Sequence, residues 1–155
     1  MITLIFKNIK DFLFGREVVI PDQRIGSLTA RIRSKAPNQS YSWTSEHQLS
    51  GQNGKTSFIL EGDSRGPFQT QLRSIYRILD ELPLIREKAD RELKKNADLY
   101  EPLKNWQDSF YLSSLLPLDV EKNEFELSFE PVNPTDTRYV LLEWRDGQLA
   151  EVEGK

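Results

Sequence analysis

The chain has 155 residues, a formal net charge of −3 and no cysteine. This length suits one domain of ordinary size, and we expect residues 1–155 to form a single domain. Without cysteine the chain has no disulfide scaffold, no cysteine-ligated metal site and no thiol nucleophile. The acidic balance argues against a nucleic-acid partner, and no apolar run approaches the ~18 residues of a membrane span, so we expect no stable membrane insertion.

Residues 1–14 are the most apolar stretch, although charged residues interrupt them. Apolar residues recur at positions 2, 5, 6, 9, 12 and 13, and this spacing predicts an amphipathic N-terminal helix. A secretory signal would place its basic residues before an unbroken apolar region, so the pattern favours a cytoplasmic protein. The helix could dock on the domain or on a membrane surface, and we expect it to dock on the domain.

Strands are predicted in the first third of the chain. Alternation of apolar and polar residues predicts strands at 17–20 and 25–33. The same alternation over 41–49 and 56–61, with turn residues between Gly51 and Gly54, predicts a β-hairpin.

The centre of the chain has helical periodicity instead. Asp63 or Ser64 is a candidate N-cap, and apolar residues from Phe68 to Leu82 recur on one helical face. Pro83 lacks a backbone N–H and disfavours helical geometry at the preceding residue. The pattern therefore predicts two helices, the second running from about residue 84 to Tyr100.

The last third returns to strand patterns, at 110–120, 124–130, 138–145 and 148–152. The Asp146-Gly147 pair predicts a type I′ turn between the last two strands. Together, these elements predict an α+β fold. Its antiparallel sheet would be built from amino- and carboxyl-terminal β-hairpins, with two central helices packed on one face.

Several local motifs carry a resemblance to known proteins. They are Ile25-Gly26-Ser27-Leu28, Trp43, Leu60-Glu61-Gly62, the proline-headed helix pair ending near Tyr100, and Trp144-Arg145-Asp146-Gly147. In these features, residues 17–153 resemble a group of small uncharacterised bacterial α+β domains, which are domains of unknown function. The resemblance implies the fold and brings no catalytic residue with it.

The residue types restrict the chemistry further. His47 is the one histidine, and the sequence has no nucleotide-binding glycine loop, no calcium loop and no nucleophile elbow. One histidine without cysteine does not supply the common zinc ligand sets. We therefore predict no cofactor, no metal site and no enzymatic activity.

Charge is distributed unevenly along the chain. Residues 119–155 contain ten acidic and four basic residues, a net charge of −6. If the apolar residues of 124–130 face the core, the carboxylates of that strand point outward beside apolar and acidic residues of the next strand. Such a mixture is typical of an interface that steers a basic partner. The predicted partner-binding residues are Glu124, Glu126, Glu130, Tyr139, Leu141 and Glu143.

Two functions follow from these observations. The favoured one is a non-catalytic protein-interaction module that binds a basic protein partner through the acidic sheet face, a class that includes small cytoplasmic inhibitors and immunity-type proteins. The alternative is a small-molecule-binding domain or weak enzyme with a cleft between the sheet and the helix pair, lined by Tyr76, Tyr100 and Trp106. The sequence does not indicate an oligomeric state.

Overall fold

The computed structural model describes residues 15–34, 36, 38–95, 103 and 105–154. The predicted helix at residues 1–14 lies outside them. Nine strands and two helices follow one another along the described residues. They are β1 (Arg16–Asp22), β2 (Gly26–Ile32), β3 (Tyr41–His47), β4 (Thr56–Asp63), β5 (Gly66–Pro67), α1 (Gln69–Lys95), α2 (Trp106–Ser109), β6 (Phe110–Asp119), β7 (Glu124–Pro131), β8 (Val140–Arg145) and β9 (Gln148–Gly154).

All nine strands belong to one mixed sheet. Its order is β1-β2-β3-β4-β6-β7-β8-β9, and the short β5 pairs with the end of β4. The strands β1 to β4 and β6 to β9 form two antiparallel meanders. The meanders join through parallel pairing of β4 with β6, where Ser57 lies opposite Ser114. Parallel neighbours require a crossover connection, and α1 supplies it.

The predicted fold class, an antiparallel sheet carrying two central helices, is therefore wrong. The sheet is mixed, and α1 is one helix of 27 residues that contains Pro83. Pro83 lies on the exposed side of α1, where water can replace the hydrogen bond that its missing N–H would have made. Ile78 and Ile85, on either side of Pro83, are both buried, so the apolar stripe continues in phase through the proline.

The start of α1 also differs from the prediction. Asp63 and Ser64 do not cap a helix, because the chain first turns back and Gly66 and Pro67 pair with β4. The Asp63 carboxylate instead accepts the backbone N–H of Arg65 at 2.7 Å within that turn. The helix then begins at Gln69.

The hydrophobic core lies between α1 and one face of the sheet. Each strand from β2 to β8 buries alternate residues there, and α1 contacts β4, β6 and β9. Burying each large side chain contributes about 1.5–3 kcal/mol. The core residues are Leu28, Ala30, Ile32, Trp43, Phe58, Leu60, Phe110, Leu112, Leu115, Phe125, Leu127, Phe129, Val140, Leu142 and Trp144 from the strands, Ile75, Ile78, Ile85, Ala89 and Leu93 from α1, and Ile25, Leu103 and Trp106 from other segments.

Local predictions based on period two and on turn residues are confirmed. The hairpin of β3 and β4 pairs Tyr41 with Gly62 and His47 with Thr56. Asp146 and Gly147 have φ angles of 49° and 73°, as a type I′ turn requires. Neither helix among the described residues has the length and apolar character needed to cross a bilayer.

Candidate functional site

The sheet face opposite α1 is the candidate site, and we call it the open face. Within the described part of the chain, no helix packs on it. Its side chains are the residues that alternate with the buried ones along each strand. Over β7, β8 and β9 they are mainly carboxylates: Glu124, Glu126, Glu130, Glu143, Glu151 and Glu153, with Arg145 as a basic neighbour.

A row of three carboxylates crosses this end of the open face. Glu126 lies opposite Glu143, and Glu143 lies opposite Glu151 on the next strand. Arg145 donates to the Glu143 carboxylate at 2.6 Å. That hydrogen bond raises the pKa of Arg145, so the guanidinium remains charged. One arginine accompanies three carboxylates, which leaves the row strongly acidic.

All six predicted partner-binding residues lie together on the open face. Three are on β7, two are on β8, and Tyr139 directly precedes β8. The Tyr139 hydroxyl donates to Glu153 Oε1 at 2.5 Å, and this hydrogen bond raises the pKa of Tyr139. The role of these residues in binding stays a prediction.

A second row of the open face has small side chains. Ser57 lies opposite Ser114, Ser114 opposite Ser128, and Ser128 opposite Leu141. The three serines are half-buried. We call these three serines the serine row. They occupy neighbouring positions on β4, β6 and β7, so their short side chains leave a depression across the middle of the sheet, and Leu141 continues the row on β8.

The serine row was not found from the sequence. The outward positions of β4 and β7 were predictable from alternation, but Ser114 reaches its position because of a β-bulge at Ser113. The buried Ser113 hydroxyl donates to the Ser128 carbonyl at 3.1 Å and holds the bulge. The sequence signal for such a row is a run of small outward-facing residues on neighbouring strands. Recognising this signal requires knowledge of the strand order.

Three adjoining hollows follow the serine row. The largest, about 660 Å³, lies between Tyr111, Glu130, Leu141 and the loop at 131–139. The middle hollow, about 400 Å³, shares Tyr111, Ser128 and Glu130 with it. The third, about 420 Å³, shares Glu46 and Ser57 with the middle one. Because each hollow shares lining residues with the next, we call the three together the transverse groove.

Tyr111 forms a wall of the transverse groove. Its hydroxyl donates to Glu130 Oε2 at 3.3 Å. Burial raises the pKa of Tyr111, and the nearby Glu130 charge adds to this effect. The ring lies directly over Gly54, where an added Cβ would be 2.3 Å from two ring atoms. A glycine at position 54 therefore allows the ring to occupy its place.

Two of the predicted ligand-binding residues, Tyr76 and Trp106, do not line the three hollows. The Tyr76 hydroxyl donates to the Asp22 carboxylate, and the Arg24 guanidinium lies 4.8 Å from the Tyr76 ring centre. Burial, together with Asp22, raises the pKa of Tyr76 to about 12. Trp106 is 1% exposed and packs edge to face on Phe129. Tyr100 lies outside the described residues.

This placement changes the basis of the alternative function. The helix pair that would have formed one side of the cleft is the single helix α1 at this position. Tyr76 joins α1 to the turn between β1 and β2, and Trp106 belongs to the core. Small-molecule binding by Tyr76, Tyr100 and Trp106 stays a prediction.

The described residues offer little for acid–base or metal chemistry. Nowhere among them do three or more histidine and carboxylate side chains come together as metal ligands would. His47 ends β3 and is half-buried beside Gly26.

Comparison with family models, with curated proteins and with solved structures finds no match.

Proposed function

We propose that this protein is a non-catalytic, cytoplasmic protein-interaction module that binds a basic partner through the open face of its sheet. The class includes small inhibitors and immunity-type proteins. The observation that carries the proposal is the carboxylate row Glu126, Glu143 and Glu151 beside the half-buried Leu141.

The energetic argument starts from repulsion within the sheet. Like charges directly opposite each other on neighbouring strands destabilise a sheet. A basic partner would remove this repulsion on binding, and the fixed carboxylates would also steer its approach. Leu141 and Tyr139 would supply apolar contact at the centre of the same surface.

The experiment compares proteins retained from one cell extract by three immobilised forms of the chain. The forms are the wild type, the double variant Glu126→Lys with Glu130→Lys, and a control, Glu81→Lys with Glu87→Lys. The control makes the same change of net charge on exposed positions of α1. We expect a basic protein to be retained by the wild type and by the control, and lost from the open-face variant.

Binding kinetics of the retained protein complete the test. The open-face variant should associate at least about tenfold more slowly at low salt, and about 0.5 M salt should reduce this difference by screening. Equal retention by all three forms would contradict the proposed site. Retention of only acidic proteins would contradict the proposed partner chemistry.

A further inference from the structure

We propose that the occupant of the transverse groove is a single amphipathic α-helix of the partner, basic at the end that lies over β7 and β8. This inference rests on the proposed function and adds the shape and orientation of the bound segment. It follows from the floor, the walls and the charge distribution of the groove.

The floor of the groove crosses the strands. The serine row places one short side chain on each of β4, β6 and β7, and Leu141 continues it on β8. On β3 the floor continues at Glu46. The register that pairs Thr29 of β2 with Thr44 of β3 places Ser27 opposite Glu46. Strands lie about 4.8 Å apart, so the floor from β3 to β8 is about 19 Å long.

The walls stand two residues along each strand from the floor. One wall contains Ile59, Leu116 and Glu126, and the other contains Lys55, Tyr111 and Glu130. Two residues of strand span about 6.8 Å, so the backbone positions that carry the two walls are about 14 Å apart. An α-helix with its side chains is about 10–12 Å wide. The spacing of the wall positions therefore admits one helix and not two.

The position of the groove favours a helix over an extended segment. An added strand needs free backbone groups at a sheet edge, whereas β4, β6 and β7 are interior strands with a neighbour on each side. A helix satisfies its own backbone hydrogen bonds and needs only side-chain contacts. At a rise of 1.5 Å per residue, about 13 residues would fill the floor.

Charge determines the orientation of this helix. Glu126, Glu130 and Glu143 surround the groove at β7 and β8. At the β4 side the walls carry Ile59, which is 36% exposed, and Lys55, and Glu46 lies on the floor opposite Ser57. Lys55 and Glu46 balance each other in charge, whereas the β7 and β8 end has an excess of carboxylates. The occupant should therefore have an apolar stripe, with lysine or arginine concentrated at the β7 and β8 end.

The test is a selection from a displayed library of random peptides about 15 residues long, with the full chain as bait. We expect enriched peptides to have apolar residues at i, i+3, i+4 and i+7, to lack proline, and to carry lysine or arginine towards one end. Basic peptides with period-two or proline-rich patterns would overturn the helix and leave the proposed function standing. Enrichment without a basic bias would contradict both.

The site is tested with the most enriched peptide, made synthetically. Ser128→Trp fills the floor, and Ser42→Trp is the matched control at an exposed position of β3 opposite Glu61, away from the serine row. We expect Ser128→Trp to weaken binding at least about tenfold and Ser42→Trp to leave the affinity within about twofold. Equal affinity for both variants would overturn the groove assignment. If Ser128→Trp does not fold, Ser57→Trp replaces it.

Discussion

Glu126 on β7 lies directly opposite Glu143 on β8, and both carboxylates point to the open face. Opposed like charges reduce sheet stability, and Glu151 extends the row by one more carboxylate. Arg145 compensates one of these negative charges through its ion pair with Glu143. The row thus combines a cost in folding with a surface suited to a basic partner.

Removing one charge from this row should stabilise the fold. We expect Glu126→Gln, which keeps the side-chain length, to raise the free energy of unfolding by about 0.2–1 kcal/mol at low salt. Urea unfolding measures the change, and about 0.5 M salt should reduce it. The control is Glu61→Gln on the same face, since Glu61 lies opposite the uncharged Ser42. A loss of stability in Glu126→Gln would contradict repulsion within the row.

The Tyr76–Asp22 hydrogen bond should make stability depend on pH at both ends of the range. Burial alone would raise the pKa of Asp22, but hydrogen bonds from Tyr76 and from the backbone of Arg24 and Ile25 outweigh it and lower the pKa. We expect Tyr76→Phe to cost about 1–2 kcal/mol near neutral pH. The measurement is the free energy of unfolding in urea as a function of pH.

The sign of the pH dependence follows from the two shifts. The pKa of Tyr76 is raised to about 12 in the folded state, so its contribution is present below an unfolded pKa of about 10 and is lost as the pH rises towards 12. The lowered pKa of Asp22 gives a contribution that is lost as the pH falls below about 4. The difference in free energy of unfolding between wild type and Tyr76→Phe should therefore narrow at both low and high pH.

Tyr41→Phe is the matched control for this experiment. The Tyr41 hydroxyl bonds to backbone groups of Ser34, donating to the carbonyl at 2.7 Å and accepting the N–H at 2.8 Å. Removing the Tyr41 hydroxyl should also destabilise the fold, but the difference in free energy of unfolding between wild type and Tyr41→Phe should not narrow at acid pH. A Tyr76→Phe difference that stays constant down to about pH 2 would contradict the linkage to Asp22.

Pro83 provides a test of the continuous helix. A proline inside a helix costs about 3 kcal/mol relative to alanine, and the greater flexibility of the unfolded alanine chain returns about 0.4–1 kcal/mol of this. We expect Pro83→Ala to raise the free energy of unfolding by about 2–2.6 kcal/mol and to raise the melting temperature. Pro134→Ala, in an exposed loop, is the control and should give no such gain. A destabilised Pro83→Ala would show that the proline is needed for the path of α1.

Much of the sheet was predictable because strands and tight turns depend on neighbouring residues. Alternation identified the buried faces of β3, β4 and β7, and Asp146-Gly147 identified the last turn. The continuity of α1 was also encoded, since Ile78 and Ile85 are two helical turns apart. The local rule that proline breaks a helix fails at Pro83, because tertiary packing of the apolar stripe of α1 outweighs one missing hydrogen bond.

Long-range pairing and the bulge were not predictable from local patterns. Parallel pairing of Ser57 with Ser114 joins residues far apart in the chain and depends on the whole crossover. The bulge at Ser113 changes the phase of β6, so Leu112 and Leu115 both face the core. This phase change brings Ser114 to the open face, and the transverse groove depends on it. The acidic half of the site was accessible from the sequence, whereas the groove was not.

The contact between Gly54 and Tyr111 gives a final prediction, which tests the position of the Tyr111 ring separately from its hydroxyl group. An added Cβ at Gly54 would lie 2.3–2.5 Å from three ring atoms, so Gly54→Ala forces the ring to move. We expect the fold to persist, because a single half-buried ring on the sheet surface can rotate away, and the pKa of Tyr111 to fall towards its usual value of about 10. An ultraviolet titration of the phenols, with Tyr111→Phe subtracted from each curve, measures this change.

Peptide binding then distinguishes the two parts of Tyr111. Tyr111→Phe keeps the ring in place and removes only the hydroxyl that donates to Glu130, so a helical peptide in the transverse groove should bind it within about threefold of the wild type. Gly54→Ala displaces the whole ring, opens one wall of the groove and should weaken the same peptide about tenfold or more. If Gly54→Ala lowers the pKa of Tyr111 and the affinity is unchanged, the ring moves without affecting the occupant, and the wall assignment is wrong. If neither changes, the ring does not lie over Gly54 in solution.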